Sequence, residues 1–140
     1  MNWNIKQLAY LAGIIDADGC ISIGRTGKLP RRDFNVRMYV MCTDKNLINW
    51  LHQTFGGLTY SRKRENIKWK IRYEWFAERK TLDILLPKLI PFLIIKKDRA
   101  KIAFEFRKTF AKRQSPLPKD VRTFREKCFH KLKSLNSRGQ

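Results

Sequence analysis

The chain has 140 residues, 31 Lys and Arg against 12 Asp and Glu, and a net charge of +19. That length suits one compact domain with a real core, and so much positive charge repels itself and invites a polyanion, nucleic acid first. A membrane surface is set aside, because the sequence holds no apolar span of membrane length and no long basic amphipathic helix.

Residues 6–18 are predicted to form a helix. Ala9, Gly13 and Ala17 recur every four positions and make a stripe of small side chains, over which another helix can approach closely. Leu8, Leu11 and Ile15 lie on another side and suit burial. Asp16 and Asp18 stand at the C-terminal end, where the macrodipole is negative and a carboxylate is disfavoured by about 0.3–1 kcal/mol. A cation is expected to compensate, a divalent metal foremost. Gly19 is expected to end the helix through its tolerance of positive φ. The bland alternative is a buried helix with two exposed acids beside a glycine cap. A secretory leader fits poorly, since the apolar run is short, has little basic lead-in and ends in two aspartates.

Residues 20–26 read as a strand, with Ile21 and Ile23 facing one way and Cys20, Ser22, Gly24 and Thr26 the other. A basic turn over 27–33 holds Lys28, Pro30, Arg31 and Arg32. The second strand, 34–42, puts Phe34, Val36, Met38, Val40 and Cys42 on the core side and Asn35, Arg37, Tyr39 and Met41 opposite. A helix over 43–55 is capped by Thr43 or Asp44, carries Leu47, Ile48, Trp50 and Leu51 as its apolar stripe, and stops at Gly56-Gly57. A third strand, 58–64, carries Arg62 and Arg64 on one side, and a turn follows at Glu65-Asn66. In the fourth, Ile67, Trp69, Ile71, Tyr73 and Trp75 alternate with Lys68, Lys70, Arg72 and Glu74. A helix over 78–90 ends near Pro91, a short apolar link runs over 92–95, and a helix over 97–112 follows. A linker over 114–118 precedes a last helix over 119–135, laid back on the body by Val121, Phe124, Cys128, Leu132 and Leu135; the end frays from Asn136.

This order predicts an α+β fold, in which helices cover one face of a four-stranded antiparallel sheet. The whole of 1–140 is read as one domain, with a core over 5–100 and a helical extension over 101–135. The uncovered face gathers Arg37, Arg62, Arg64, Lys68, Lys70 and Arg72 with Ser22, Thr26, Asn35, Tyr39 and Met41, and the turn adds Lys28, Arg31 and Arg32. A basic face of charged, amide and hydroxyl side chains suits a DNA major groove, which admits strands and offers a readable donor and acceptor code. The alternative is an ordinary solvated sheet face. Cys20, Cys42 and Cys128 lack metal spacing and read as reduced thiols of an intracellular protein. His52 and His130 read as ordinary surface or boundary residues.

The stretch Leu11-Ala12-Gly13-Ile14-Ile15-Asp16-Ala17-Asp18-Gly19 resembles the motif that names the LAGLIDADG homing endonucleases, with Ile14 where the name has Leu. The predicted order is similar to that family's αββαββα core, over roughly residues 5–100. The resemblance implies that Asp18 binds the catalytic divalent metal, with the backbone carbonyl of Ala17 as a further ligand, and that Asp16 supports the helix end and the dimer. Asp44 stands where the family has a residue that orders water, its alternative being a helix cap. Lys96, after Phe92-Leu93-Ile94-Ile95, matches the family's lysine; Lys97 is the alternative position, and a plain surface lysine the alternative reading. Some members place an arginine where this chain has Ile48, so that role is missing or filled from elsewhere.

A single motif implies a homodimer packed through Ala9, Gly13 and Ala17, with two Asp18 carboxylates and a long, roughly palindromic DNA target. The resemblance implies a site-specific endonuclease that cuts both strands by metal-dependent phosphodiester hydrolysis and leaves short 3′ overhangs. Mg²⁺ is the expected cofactor, with Mn²⁺ able to substitute and Ca²⁺ binding without supporting cleavage. The alternative is an RNA-splicing maturase, with intron RNA as partner, or a non-cleaving DNA-binding regulator on the same scaffold. The short chain and immediate start at the motif helix favour an intron-encoded or free-standing form, in an organelle (chloroplast or mitochondrion) or a prokaryotic cytoplasm.

Overall fold

The computed structural model describes residues 1–137 except 30, 31, 64, 67, 113 and 114. Pro30, Arg31, Arg64 and Ile67, which the sequence reading used, lie outside the described residues. The chain runs α1 (Ile5–Asp18), β1 (Gly19–Thr26), β2 (Asp33–Cys42), α2 (Lys45–Phe55), β3 (Leu58–Arg62), β4 (Arg72–Phe76), α3 (Arg79–Leu89), a 3-10 turn (Ile90–Phe92), α4 (Lys97–Lys108) and α5 (Lys119–Asn136).

A reciprocal cap starts α1. The Asn4 side chain accepts from the Gln7 amide at 2.8 Å, and the Gln7 side chain accepts from the Asn4 amide at 3.0 Å. At its other end the helix passes directly into β1. Gly19 has φ −91°, so the expected positive φ is wrong. Its glycine is needed for space, because a Cβ there would lie 2.6 Å from the Ile15 Cα. Positive φ is found instead at Gly56 and Gly57, where α2 stops.

The sheet is antiparallel throughout, with strand order β1-β2-β4-β3. Gly19 pairs with Val40 and Thr26 with Asp33, and Val40 pairs in turn with Trp75. The register puts Ile21, Ile23, Phe34, Val36, Met38, Val40 and Trp75 on one face, all buried beneath the helices. Leu8, Leu11 and Ile15 of α1, Ile48 and Leu51 of α2, Leu82, Leu85 and Leu89 of α3, and Ala103 and Phe106 of α4 close that core.

Several elements differ from the sequence reading. The fourth strand covers only Arg72–Phe76, because β3 ends at Arg62, the partner of Arg72, and gives the alternation nothing further to pair with. Upstream, the Asn66 side chain accepts from the Lys68 amide at 3.0 Å and its carbonyl from the Trp69 amide at 2.9 Å. That local turn competes with a strand. Trp69 is thus 56% exposed rather than core. On α5 the docking side chains are Cys128, Phe129 and Leu132, while Phe124 is exposed. Phe129 meets Phe34 of β2, with ring centroids 6.1 Å apart. Arg125 holds the end of α4 by donating to the Thr109 hydroxyl (2.9 Å) and carbonyl (3.1 Å). α4 ends at Lys108, before the expected residue 112. Among the described residues the three cysteines are free, and no helix is long and apolar enough to cross a membrane.

Candidate active site and nucleic-acid interface

The last turn of α1 has no basic residue of its own. The cation that its negative end calls for comes from the loop after α3. Lys96 Nζ donates to the carbonyls of Ile15 (2.7 Å) and Gly19 (2.5 Å). Asp16 answers in the other direction. Its carboxylate accepts the backbone N–H groups of Ile94 (2.8 Å), Ile95 (3.2 Å) and Lys96 (2.9 Å). These bonds clasp the motif helix to residues 94–96 and use both oxygens of Asp16. Burial pushes the Lys96 ammonium below the usual lysine range, against the opposing pull of Cys20, Asp16 and Asp18.

Asp18 is exposed, and among the described residues its carboxylate accepts no hydrogen bond and forms no ion pair. Ala17, also exposed, lies in the last helical turn, where carbonyls lack an intrahelical donor. Asp44 begins α2. One of its oxygens accepts from the Asn46 amide at 2.8 Å and lies 3.4 Å from that of Leu47. Because β1–β2 pairing starts at Gly19–Val40, Asp18 and Asp44 flank the same end of the sheet.

Among the described residues no group of three or more His, Cys, Asp or Glu could enclose a metal ion. The donors present are hard oxygens: one free carboxylate and one helix-end carbonyl. They fit Mg²⁺ or Ca²⁺ rather than a soft metal. They fit it as a partial shell, of the kind in which Mg²⁺ keeps several waters and substrate phosphates.

The open face of the sheet carries Ser22, Thr26, Asn35, Arg37, Tyr39, Met41, Arg62 and Arg72, as the register dictates. Gly24 lets Arg37 lie close, since a Cβ there would come within 2.7 Å of an Arg37 Nη. The Cys20 hydrogen bond, aided by burial, pushes the Tyr39 hydroxyl up to about 12, so it stays protonated. Lys68 and Lys70 do not lie on this face; they are exposed on the loop beyond it. Lys28 is exposed in the β1–β2 connection. Arg32 turns to the helix side, where Arg25 and Arg32 both pair with Glu126 of α5, at 2.9 and 2.5 Å. Two acids, Asp33 and Glu74, also occupy the open face. Glu74 was visible in the alternation of β4, but its depth was not.

Along α1, Ala9, Gly13 and Ala17 are all exposed, and a Cβ on Gly13 would meet nothing within 4 Å. His52 contacts the Gly57 carbonyl through Nδ1 at 3.1 Å, and His130 lies 3.6 Å from Glu126.

No protein-family model and no curated protein sequence matches the chain. Solved structures do. The homing endonuclease I-CvuI in complex with its target superposes with TM-score 0.76 at 24% identity, over 96% of this chain and 84% of that one. The archaeal intron-encoded homing endonuclease I-Vdi141I, complexed with DNA, gives 0.79 at 15% identity, over 96% and 87%. The LAGLIDADG homing endonuclease I-SmaMI, bound to cleaved DNA, gives 0.64 at 17% identity, over 99% of this chain but only 44% of its own. With its motif at the end of α1 and its helices on one face of a four-stranded sheet, the chain has the fold of the LAGLIDADG homing endonucleases.

Proposed function

We propose that this protein is a site-specific DNA endonuclease that acts as a homodimer and cuts both strands of a long, roughly palindromic duplex. The observation that carries the reading is the contrast between the two motif acids. Asp16 is consumed by three backbone N–H groups, while Asp18 stands exposed and uncommitted next to a basic sheet face. A carboxylate at a negative helix end is unfavourable for stability, so its presence there calls for a cationic ligand.

Mg²⁺, when bound, would supply a Lewis acid at the scissile phosphate. Asp18 and the Ala17 carbonyl would hold it. Asp44 would keep one oxygen in the α2 cap and orient a water with the other. Lys96, fixed on the Ile15 and Gly19 carbonyls, would offset negative charge developing at the phosphate. Arg37, Asn35, Arg62 and Arg72 would face the major groove, and the lysines of the loops would hold phosphates. Mn²⁺ would substitute, and Ca²⁺ would support binding without cleavage; I-SmaMI was solved on an uncleaved DNA target with calcium ions.

Support for the dimer comes from the exposed stripe of small residues on α1, over which a second helix could approach closely. Each copy offers one Asp18, so two copies would supply one carboxylate per strand. The test is cleavage of a randomised duplex library in Mg²⁺ by the parent and by Asp18→Asn, with Ca²⁺ as control. Selective double-strand cuts with short 3′ overhangs by the parent, and binding without cuts by Asp18→Asn, are expected. Binding without cleavage by the parent would move the protein to a regulator or an RNA-splicing role. Affinity should fall steeply as salt rises, because phosphate contacts release counterions.

A further inference from the structure

Apolar packing does not fix the segment that carries Lys96. Leu93 and Ala100, on either side of it, are buried in the core. Between them Ile94 is 85% exposed and Ile95 58%. Hydrogen bonds to the backbone hold the segment instead. Ile95 is bound through both of its peptide groups. Its N–H donates to Asp16 at 3.2 Å, and its carbonyl accepts from one Arg99 Nη at 3.3 Å.

Arg99 is 5% exposed. Its other Nη donates to the Leu135 carbonyl at 3.0 Å. Leu135 lies in the last turn of α5, whose negative dipole end suits a cation. Beside it, Asn136 Nδ2 donates to the Ile21 carbonyl of β1 at 3.0 Å. The end of α5 is thus tied to β1 two residues past Gly19 and, through Arg99, to the segment that presents Lys96. Gly19 in turn offers one of the two carbonyls that Lys96 Nζ occupies. Only a planar fork can span carbonyls from two elements in this way; an ammonium is a point donor. A buried cation also costs the fold more than an apolar side chain of similar size would. One helical turn from Lys96, it adds like-charge repulsion. Stability alone does not call for such a residue. We propose that Arg99 is a positioning residue, which sets Lys96 for the scissile phosphate by bracing residues 94–96 against the end of α5. The proposal rests on the reading of Lys96 as the cation at that phosphate.

The experiment compares the parent with Arg99→Met, which removes the cation, and Arg99→Lys, which keeps the charge without the fork. Single-turnover cleavage in Mg²⁺, duplex affinity in Ca²⁺, the thermal midpoint and amide hydrogen exchange are measured on each. Both variants should bind the duplex as the parent does yet cut it roughly 10- to 100-fold more slowly, the scale of a small misplacement at a reacting centre. The Arg99→Met midpoint should hold or rise. The amides of Ile95 and Lys96 should exchange faster in both variants, while that of Val40 stays protected. Cleavage, affinity and midpoint that fall together would mark a merely structural arginine and overturn the proposal. So would an Arg99→Met protein that cuts like the parent, or amides that exchange as before. Should neither variant fold, the Arg99 Nη protons of the parent decide by NMR: resolved, slowly exchanging signals support the brace, and averaged ones reject it. A parent that cuts no duplex would sink the nuclease reading instead, and exchange at the two amides would then decide alone whether Arg99 braces the segment.

Discussion

Two aspartates two residues apart on one helix end have opposite relations to stability. Asp16 accepts three backbone N–H groups, and hydrogen bonds to a charged group contribute roughly 1.5–3 kcal/mol. Asp16→Asn keeps the shape but replaces one acceptor oxygen by a donor that faces N–H groups. Its thermal midpoint should fall by several degrees, since 1 kcal/mol corresponds to about 2–8 °C at this size. Asp18→Asn removes an unpartnered charge from the negative end of the helix, so its midpoint should hold or rise slightly. Cleavage should vanish in Asp18→Asn and survive in Asp16→Asn wherever that variant is folded. Calorimetry beside a cleavage assay checks the pair, and a large destabilisation by Asp18→Asn would show that Asp18 has a structural partner. The motif made both acids legible in the sequence. What it could not show was that Lys96, 80 residues from Asp16, supplies the cation of the helix end.

At the scale of elements, α5 is the piece whose attachment the sequence least revealed. Its start at Lys119, after a Pro-rich linker, was readable from composition. Of the stripe Val121, Phe124, Cys128, Leu132 and Leu135, Cys128 and Leu132 dock as expected, but Phe124 is exposed and Phe129 is buried in its stead, because which side of a helix is buried depends on where its partner stands. Here the partner is Phe34, with Phe129 against it and Arg25 over the same ring at 4.3 Å. Glu126 reinforces the joint. Burial alone would raise its carboxyl, but the hydrogen bonds from Arg32 and Arg25 outweigh that and hold it below the usual glutamate range. A depressed value means stability that is present above the ordinary pKa of 4.5 and is lost as pH falls through the folded value. Glu126→Gln should therefore be less stable than the parent at pH 7, and the gap should close below about pH 4.5. Urea denaturation at a series of pH values reads this directly; a gap that persists at acid pH would mean the loss is one of packing. The same joint explains why Arg32, read from sequence as a DNA contact in a basic turn, points elsewhere. Its partner lies 94 residues away, which no local pattern reports. The short β4 has a similar cause, for alternation marks two faces but not where the neighbouring strand stops.

For the molecule as a whole, the proposed dimer asks α1 to meet a second copy of itself. The helix has already spent Leu8, Leu11, Ala12 and Ile15 on the core of its own domain. The stripe it leaves outside holds only small side chains, which bury little area themselves but let two backbones come close enough for their flanks to pack. A larger residue on that stripe thus separates the demands of the monomer from those of the dimer. Gly13→Gln puts a good helix former at an exposed helical position with open space around its Cβ. The monomer should gain roughly 0.5 kcal/mol from the removal of a helical glycine. The proposed dimer should lose its close approach, and with it the second Asp18 that the proposed double-strand cleavage would use. Sedimentation should report a folded monomer with an unchanged or raised thermal midpoint, and the duplex should suffer at most a nick in one strand. An unaltered dimer would place the interface on another surface, and a parent that is monomeric at assay concentration yet cuts both strands would remove the need for one. The variant's rise in monomer stability against its loss of double-strand cutting is the useful signature, because general damage to the fold would lower both.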